Sequence, residues 1–161
     1  MSFPKKLLGG AIVLSSLINF LIGYSIFFLF LVVTGHTIGV ASLILPALLI
    51  LQFIFAFGLG LCLSTLNVFF RDIAQFTGLG LQFWFWLTPI VYLEEVLHWI
   101  VRDLLYLNPM HYFVRGYHAV IVHNALPSLS LIGMASCLSL AALVAGSLVF
   151  LQLKDEIVDE V

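Results

Sequence analysis

Four histidines stand out first, because an imidazole can bind a metal ion or transfer a proton near neutral pH. They are His98, His111, His118 and His123. Their spacings do not give the pair at i and i+4 that holds a metal on one helix face, and no cysteine or carboxylate completes a ligand set. We therefore expect histidines at a membrane interface or beside a gate, and no metal or cofactor in this chain.

The sequence contains none of the motifs that would make the chain an enzyme by itself. The nucleotide-binding pattern GxxxxGK[ST], the hydrolase pattern GxSxG and the metalloprotease pattern HExxH do not occur. The long apolar stretches also lack paired carboxylates. We expect no ATPase site and no catalytic residues, with an intramembrane enzyme that uses the histidines, or a passive channel, as the less favoured alternatives.

A dense group of aromatic side chains could stack on the apolar faces of sugar rings, since each ring offers an apolar face and some carry a polar tip. The alternative is an aromatic belt, which Trp and Tyr form at the membrane–water interface. The residues alone leave both possibilities open. The group consists of Phe83, Trp84, Phe85, Trp86, Tyr92, Trp99, Tyr106, Tyr112 and Tyr117.

The composition indicates a membrane protein. The chain is 63% hydrophobic and 9% charged, whereas soluble domains average roughly 25% charged residues. No charged residue occurs between Lys6 and Arg71 or between Arg115 and Lys154. Since one crossing takes roughly 20 apolar residues, the first gap has room for two crossings and the second for one.

These gaps predict an all-α integral membrane protein in which residues 1–161 form a single transmembrane domain. Small residues four positions apart, Gly60 with Ser64 and Ala142 with Gly146, predict close helix packing. The expected elements are four transmembrane helices at about 7–33, 40–66, 73–93 and 128–153, and an acidic cytoplasmic tail at 154–161.

Residues 96–123 are predicted to form a re-entrant or interfacial helical hairpin instead of a crossing. The roughly dozen apolar residues of Val96–Arg115 would gain about 0.3–0.6 kcal/mol each on insertion, whereas Arg102, Asp103 and Arg115 would each cost about 2.5–3.5 kcal/mol. Asn108-Pro109, in the middle of the segment, is a turn and helix-start signal. Two short helices on either side of it therefore fit better than one span.

Four crossings put both termini on the same side of the membrane. The positive-inside rule favours the cytoplasm for that side, with Lys5, Lys6, Arg71 and Lys154 inside. The hairpin then lies on the extracytoplasmic side.

The third predicted crossing carries a polar stripe. Gln75, Gln82 and Pro89 recur every seven residues and so share one helix face. An amide that faces lipid is costly, so this face should point at protein or at a water-filled path.

Five short motifs follow one another along the chain: Phe3-Pro4-Lys5-Lys6, Asn19-Phe20-Leu21-Ile22-Gly23, Asn67-Val68-Phe69-Phe70-Arg71-Asp72-Ile73, Leu87-Thr88-Pro89-Ile90-Val91-Tyr92 and Leu107-Asn108-Pro109. In this order and spacing they resemble the permease subunit of ABC-2 type exporters, and most closely the polysaccharide, O-antigen and teichoic-acid branch. The similarity covers nearly the whole chain. Such permeases usually begin with an amphipathic interface helix and two further spans, so the resemblance implies the C-terminal two-thirds of a permease, whether truncated, split or a short form.

The resemblance implies that two permease copies form the conduit and that separate ATP-binding cassette ATPase subunits bind the ATP and dock on cytoplasmic loops. It also implies re-entrant helices at the outer mouth. The implied ATPase-coupling candidates are Phe3, Pro4, Lys5, Lys6, Asn67, Arg71 and Asp72. Together with the polar stripe, the substrate-path candidates are Gln75, Gln82, Trp84, Trp86, Tyr92, Tyr112 and Arg115.

The function implied by the resemblance is ATP-driven export of polysaccharide or lipid-linked glycan across the bacterial cytoplasmic (inner) membrane. The chain would be a multi-pass, mechanical component, with the lipid bilayer and a glycan but no nucleic acid among its partners. An ABC-2 exporter of a drug, lipid or haem is the alternative, because the aromatic side chains suit any amphipathic cargo.

Overall fold

All regular structure in the described residues is helical, which confirms the all-α prediction. A helix satisfies its own N–H and C=O groups, as a segment within lipid must. The chain divides into two compact units, residues 1–39 and 40–161. The computed structural model describes the backbone of residues 5–35, 39–70, 72–88, 90 and 105–160, and the side chains of 15, 16, 18–35, 39–70, 72–88, 90 and 105–154.

The first unit contains a single long helix, α1, which spans Lys5–Val33 and covers the first predicted crossing. It ends at Thr34, whose N–H donates to the Phe30 carbonyl at 2.9 Å. Gly35 follows at φ 70°, a left-handed conformation that glycine adopts without steric cost. This glycine ends the helical conformation of the backbone.

The described part of the second unit contains four α-helices, preceded by a short 3-10 helix at Val40–Ile44. The first of them has Pro46 in its opening turn, where a missing N–H costs nothing. The four are α2 at Leu45–Phe69, α3 at Ile73–Leu87, α4 at Pro109–Ile121 and α5 at Leu129–Glu160.

The structure confirms the helix start that was predicted from Asn108-Pro109. Asn108 has an extended backbone, its Oδ1 accepts the Met110 N–H at 3.0 Å, and Pro109 occupies the first helical turn. At the other end of α4, Asn124 has φ 48° and the Ala125 N–H donates to the carbonyl of residue 119 at 2.9 Å. Asparagine tolerates this left-handed conformation better than most residues, and here it turns the chain towards α5.

The most extensive helix contact of the second unit joins α2 to α5. The backbones approach so closely that a Cβ added to Gly146 would overlap the Gly58 carbonyl, and one added to Gly58 would lie 2.5 Å from the Ala142 oxygen. Ser139 is fully buried, and its Oγ lies 2.7 Å from the Leu51 carbonyl across the pair and 2.7 Å from the Ala135 carbonyl of its own helix, so that its one O–H is shared between them. These distances confirm that Ala142 and Gly146 permit close packing.

The predicted pair Gly60 and Ser64 takes no part in the contact between α2 and α5, which corrects that prediction for this unit. A Cβ on Gly60 would meet nothing within 4 Å, and Ser64 is exposed. The α2 residues that pack against Gly146 are Gly58 and Cys62. They precede the predicted pair by two positions, and two positions rotate a helix by about 200°.

Helix α4 lies against α2 and α5 through an apolar face. Phe113 is fully buried, and its ring lies 5.5 Å from that of Phe55 on α2. Val120, seven residues later on the same face, packs with Leu48 in a second buried cluster. One cluster contains Phe113 in the first half of α4, and the other contains Val120 near its end. Both halves of this short helix are therefore packed within the unit.

Two segments in the described part of the chain are long and apolar enough to cross a membrane, Val40–Phe69 and Leu129–Lys154. They match the second and fourth predicted crossings. Helix α3 has 15 residues, or about 22 Å at 1.5 Å per residue, against a hydrocarbon core of about 30 Å. The prediction of four crossings therefore stays a prediction.

Part of the predicted third crossing and the first half of the predicted hairpin fall within residues 91–104, which lie outside the described residues. The second half of the hairpin corresponds to α4. The predicted tail begins inside a helix, since α5 continues without a break to Glu160.

Candidate functional site

Helix α3 presents two opposite faces, and the sequence-predicted path residues divide between them. Gln75, Gln82 and Trp86 are all exposed, and at 100° per residue they lie within about 40° of one another. We call these three residues the glutamine face. Trp84 is nine positions after Gln75, which puts it about 180° away. The glutamine face therefore points away from the side of α3 that packs within this chain.

Trp84 is held inside the packing of the second unit. Its ring contacts Phe55 edge-on, with centroids 6.2 Å apart and an interplanar angle of 74°. Its Nε1–H donates to Asn108 Oδ1 at 2.7 Å. The structure thus joins Trp84 to the start of α4, and separates it from Trp86, which is 71% exposed.

Tyr112 belongs to a cluster of rings at the start of α4. Buried His111 lies between Tyr106 and Tyr112, with ring centroids 5.1 and 5.4 Å away. The Tyr112 hydroxyl donates to the Tyr106 carbonyl at 3.0 Å. Arg115 lies on the exposed side of the same helix. The path candidates on α4 therefore face different surroundings, one in a packed ring cluster and one exposed.

The histidines do not assemble into a ligand set in the part of the chain that the structure describes. Within those residues no group of three His, Cys, Asp or Glu side chains is close enough to hold a metal ion. His111 is buried and His123 is exposed, while His98 lies outside the described residues. The expectation of no metal or cofactor remains a prediction.

Two of the ATPase-coupling candidates lie where α2 gives way to α3. Asn67, in the last turn of α2, accepts the Ala74 N–H of the first turn of α3 through its Oδ1 at 3.0 Å. Asp72 is exposed and makes no side-chain cap, although it directly precedes the helix. The Asn67 side chain therefore joins the end of α2 to the start of α3.

The remaining candidates cannot be placed. Lys5 and Lys6 are described only as helical backbone at the start of α1. Four further candidates lie outside the described residues, namely Phe3, Pro4, Arg71 and Tyr92.

Comparison with known proteins decides the family. Residues 5–122 match the model of the ABC-2 type transporter membrane domain. This chain belongs to the ABC-2 type transporter family. The resemblance inferred from the short motifs is thereby confirmed, and ABC-2 permeases are integral membrane proteins that work with an ATP-binding subunit.

The curated relatives of this ABC-2 chain are O-antigen export permeases. It is 29% identical over 125 residues to the O-antigen export system permease protein RfbA of Klebsiella pneumoniae, covering 77% of this chain and 48% of the relative. It is 26% identical over 161 residues to the protein of the same name from Myxococcus xanthus, covering 99% of this chain and 62% of the relative. The chain therefore spans less than two thirds of the length of either relative.

Two polar contacts of this ABC-2 chain were not anticipated from the sequence. Tyr117 donates its hydroxyl to Gln52 Oε1 at 2.6 Å, which joins α4 to α2. Asn108, expected only to start a helix, also bonds to Trp84 and Thr88. A polar residue within an apolar helix, such as Gln52, indicates that a hydrogen-bond partner exists. The partner of Gln52 lies 65 residues away in the sequence, and no local pattern identifies Tyr117 as that partner.

Proposed function

We propose that this chain is a permease component of an ATP-driven exporter of polysaccharide or lipid-linked glycan, of the O-antigen, capsule or teichoic-acid type. The observation that carries the proposal is the family match together with the relatives, which are named O-antigen export permeases and align over up to 99% of this chain. The cargo would cross the bacterial inner membrane outwards.

The proposed role of the chain is mechanical. A separate ATPase subunit binds and hydrolyses ATP, and two permease copies form the conduit. The chain crosses the membrane four times with both termini in the cytoplasm, so that the turn from Asn67 to Asp72 faces the ATPase. The hydrogen bond from the Ala74 N–H to Asn67 Oδ1 supports this role, because it joins the two helices through which a push at the turn would pass.

The glutamine face supports the proposed position of α3 at the conduit or the partner copy. Gln75, Gln82 and Trp86 are exposed and lie opposite the packed side. Amides need hydrogen-bond partners inside a membrane. Water and sugar hydroxyls in a conduit, or amides of a second copy, would supply such partners, whereas lipid tails would not.

A gene deletion tests the cargo. In the bacterium that carries this chain, deletion should remove a surface glycan and lead to its accumulation inside the cell, and re-expression of the chain in its native context should restore export. Unchanged surface glycan together with increased sensitivity to a drug would refute the glycan proposal and favour the alternative cargo.

Co-purification with the ATPase subunit tests the coupling. Charge reversal by Lys5→Glu or Arg71→Glu should weaken the complex, because both residues belong to the proposed cytoplasmic contact. Lys154→Glu is the matched control, since it reverses an exposed basic residue near the end of α5 outside that contact. Full complex formation by both Lys5→Glu and Arg71→Glu would contradict the coupling assignment.

A further inference from the structure

The side chain of Asn108 makes four hydrogen bonds. Its Oδ1 accepts from Trp84 Nε1 at 2.7 Å and from the Met110 N–H at 3.0 Å. Its Nδ2 donates to Thr88 Oγ1 at 3.1 Å and to the Leu87 carbonyl at 3.3 Å. An asparagine amide has two N–H donors and an oxygen with two lone pairs, so its full capacity is used. We call this set of bonds the Asn108 network.

The network joins two helices that are far apart in the sequence. Trp84, Leu87 and Thr88 form the end of α3, whereas Met110 lies in the first turn of α4. The bond to Trp84 spans 24 residues of sequence. Thr88 contributes to the α3 side by donating its Oγ1–H to the Trp84 carbonyl at 2.8 Å.

Among the described residues, other contacts between α3 and α4 are sparse. Helix α3 packs mainly on α2, whereas α4 packs on both α5 and α2. Within the described residues, the Asn108 network is therefore a direct polar link between the end of α3 and the start of α4. Thr88 is 4% exposed, so water has little access to compete for its bond.

The network requires an amide at position 108, although the helix cap alone does not. Serine, threonine or aspartate could accept the Met110 N–H and start α4 equally well. Aspartate, however, has no N–H to donate to Thr88 and Leu87, and serine is too short to serve both helices. The cap and the link can therefore be separated by substitution.

We propose that Asn108 is a positioning residue for transport, which makes the end of α3 and the start of α4 move together. This inference rests on the proposed function. Movement that enters α3 at the turn after Asn67 then reaches α4 and its ring cluster of Tyr106, His111 and Tyr112. Without the link, α3 moves and α4 remains in place on α2.

A functional test compares variants of the chain in its native complex with the ATPase subunit. Asn108→Asp and Trp84→Phe should assemble normally and hydrolyse ATP, but export per ATP hydrolysed should fall by roughly 2- to 30-fold, the range in which single residues alter coupling between sites. Ser139→Ala is the control, because it removes an interhelical bond between α2 and α5 without touching the link. Normal export per ATP by Asn108→Asp would overturn the proposal.

A second readout does not depend on the cargo. Spin labels at Phe83→Cys on α3 and Val122→Cys after α4, both exposed positions, report the distance between the two helices once Cys62 and Cys137 are replaced by serine. The distance distribution should be narrow, and Asn108→Ser should broaden it. An equally narrow distribution in that variant would refute the link even if glycan export is confirmed. If the wild-type chain exports no glycan but Asn108→Ser still broadens the distribution, the proposed function is refuted and the link remains.

Discussion

Gly146→Ala inserts a methyl group where the backbones of α2 and α5 meet. The new Cβ would overlap the Gly58 carbonyl oxygen and lie 3.0 Å from its carbon, whereas non-bonded carbons prefer about 3.5–4.0 Å. Because the neighbouring atoms are backbone, no rotamer change relieves the clash, and the helices must separate by roughly 0.5–1 Å. Overpacking of this kind costs about 1–3 kcal/mol.

The same separation weakens a second interaction. The Ser139–Leu51 hydrogen bond, now 2.7 Å, would lengthen towards or beyond the usual limit of about 3.2 Å. Interhelical hydrogen bonds in membranes contribute about 0.6 kcal/mol on average and up to about 1.7 kcal/mol. We therefore expect Gly146→Ala to lower the free energy of unfolding by about 2–4 kcal/mol.

The assay unfolds the purified chain by adding sodium dodecyl sulfate to protein in mild detergent. Circular dichroism measures the loss of helix and gives the midpoint of unfolding. Gly60→Ala is the matched control, since a Cβ there meets nothing within 4 Å and alanine is the better helix former by about 1 kcal/mol. The control should unfold at or above the wild-type midpoint, and Gly146→Ala well below it. Equal midpoints for the two variants would refute the close contact between α2 and α5.

Two further predictions concern the turn and the orientation of the chain. Asn67→Ala removes the acceptor of the Ala74 N–H and should lower the free energy of unfolding by about 0.5–2 kcal/mol in the same assay. Asn67→Asp keeps an acceptor at this position and is the control. An equal loss of stability in both variants would contradict the role of Asn67 as a cap. Leu107→Cys, at a side chain 80% exposed, should react with a membrane-impermeant maleimide on intact cells when Cys62 and Cys137 are replaced by serine. Labelling only after the cells are opened would reverse the proposed orientation.

Local signals were enough to locate the helices. The charge-free runs predicted helices over the extents of α1, α2 and α5, because length and hydrophobicity are properties of one segment. Asn108-Pro109 likewise predicted the start of α4, since a cap and a first-turn proline act within three residues of each other. These features needed no knowledge of what the helices pack against.

Contacts between helices could not be read in the same way. The small residues of α2 include Gly58, Gly60 and Ser64, and the choice of the contact face depends on the position of Gly146, nearly ninety residues later. Trp84 and Trp86 were both assigned to a substrate path, although two positions on a helix differ by about 200°. Periodicity shows that they cannot share a face, but only the partner Asn108 decides which of them is packed within the chain.

The polar groups of α3 now fall into two classes that the sequence could not distinguish. Thr88 and the indole N–H of Trp84 have hydrogen-bond partners within the chain, supplied by the Asn108 network. Gln75 and Gln82 are exposed and lie on the opposite side of the helix from Trp84. Because amides facing lipid tails would lose hydrogen bonds that they make in water, the two glutamines fit the proposed position of α3 beside a conduit or a second copy. Helix α3 thus carries both the link to α4 and a separate exposed polar face, which is the arrangement that the proposed mechanical role requires.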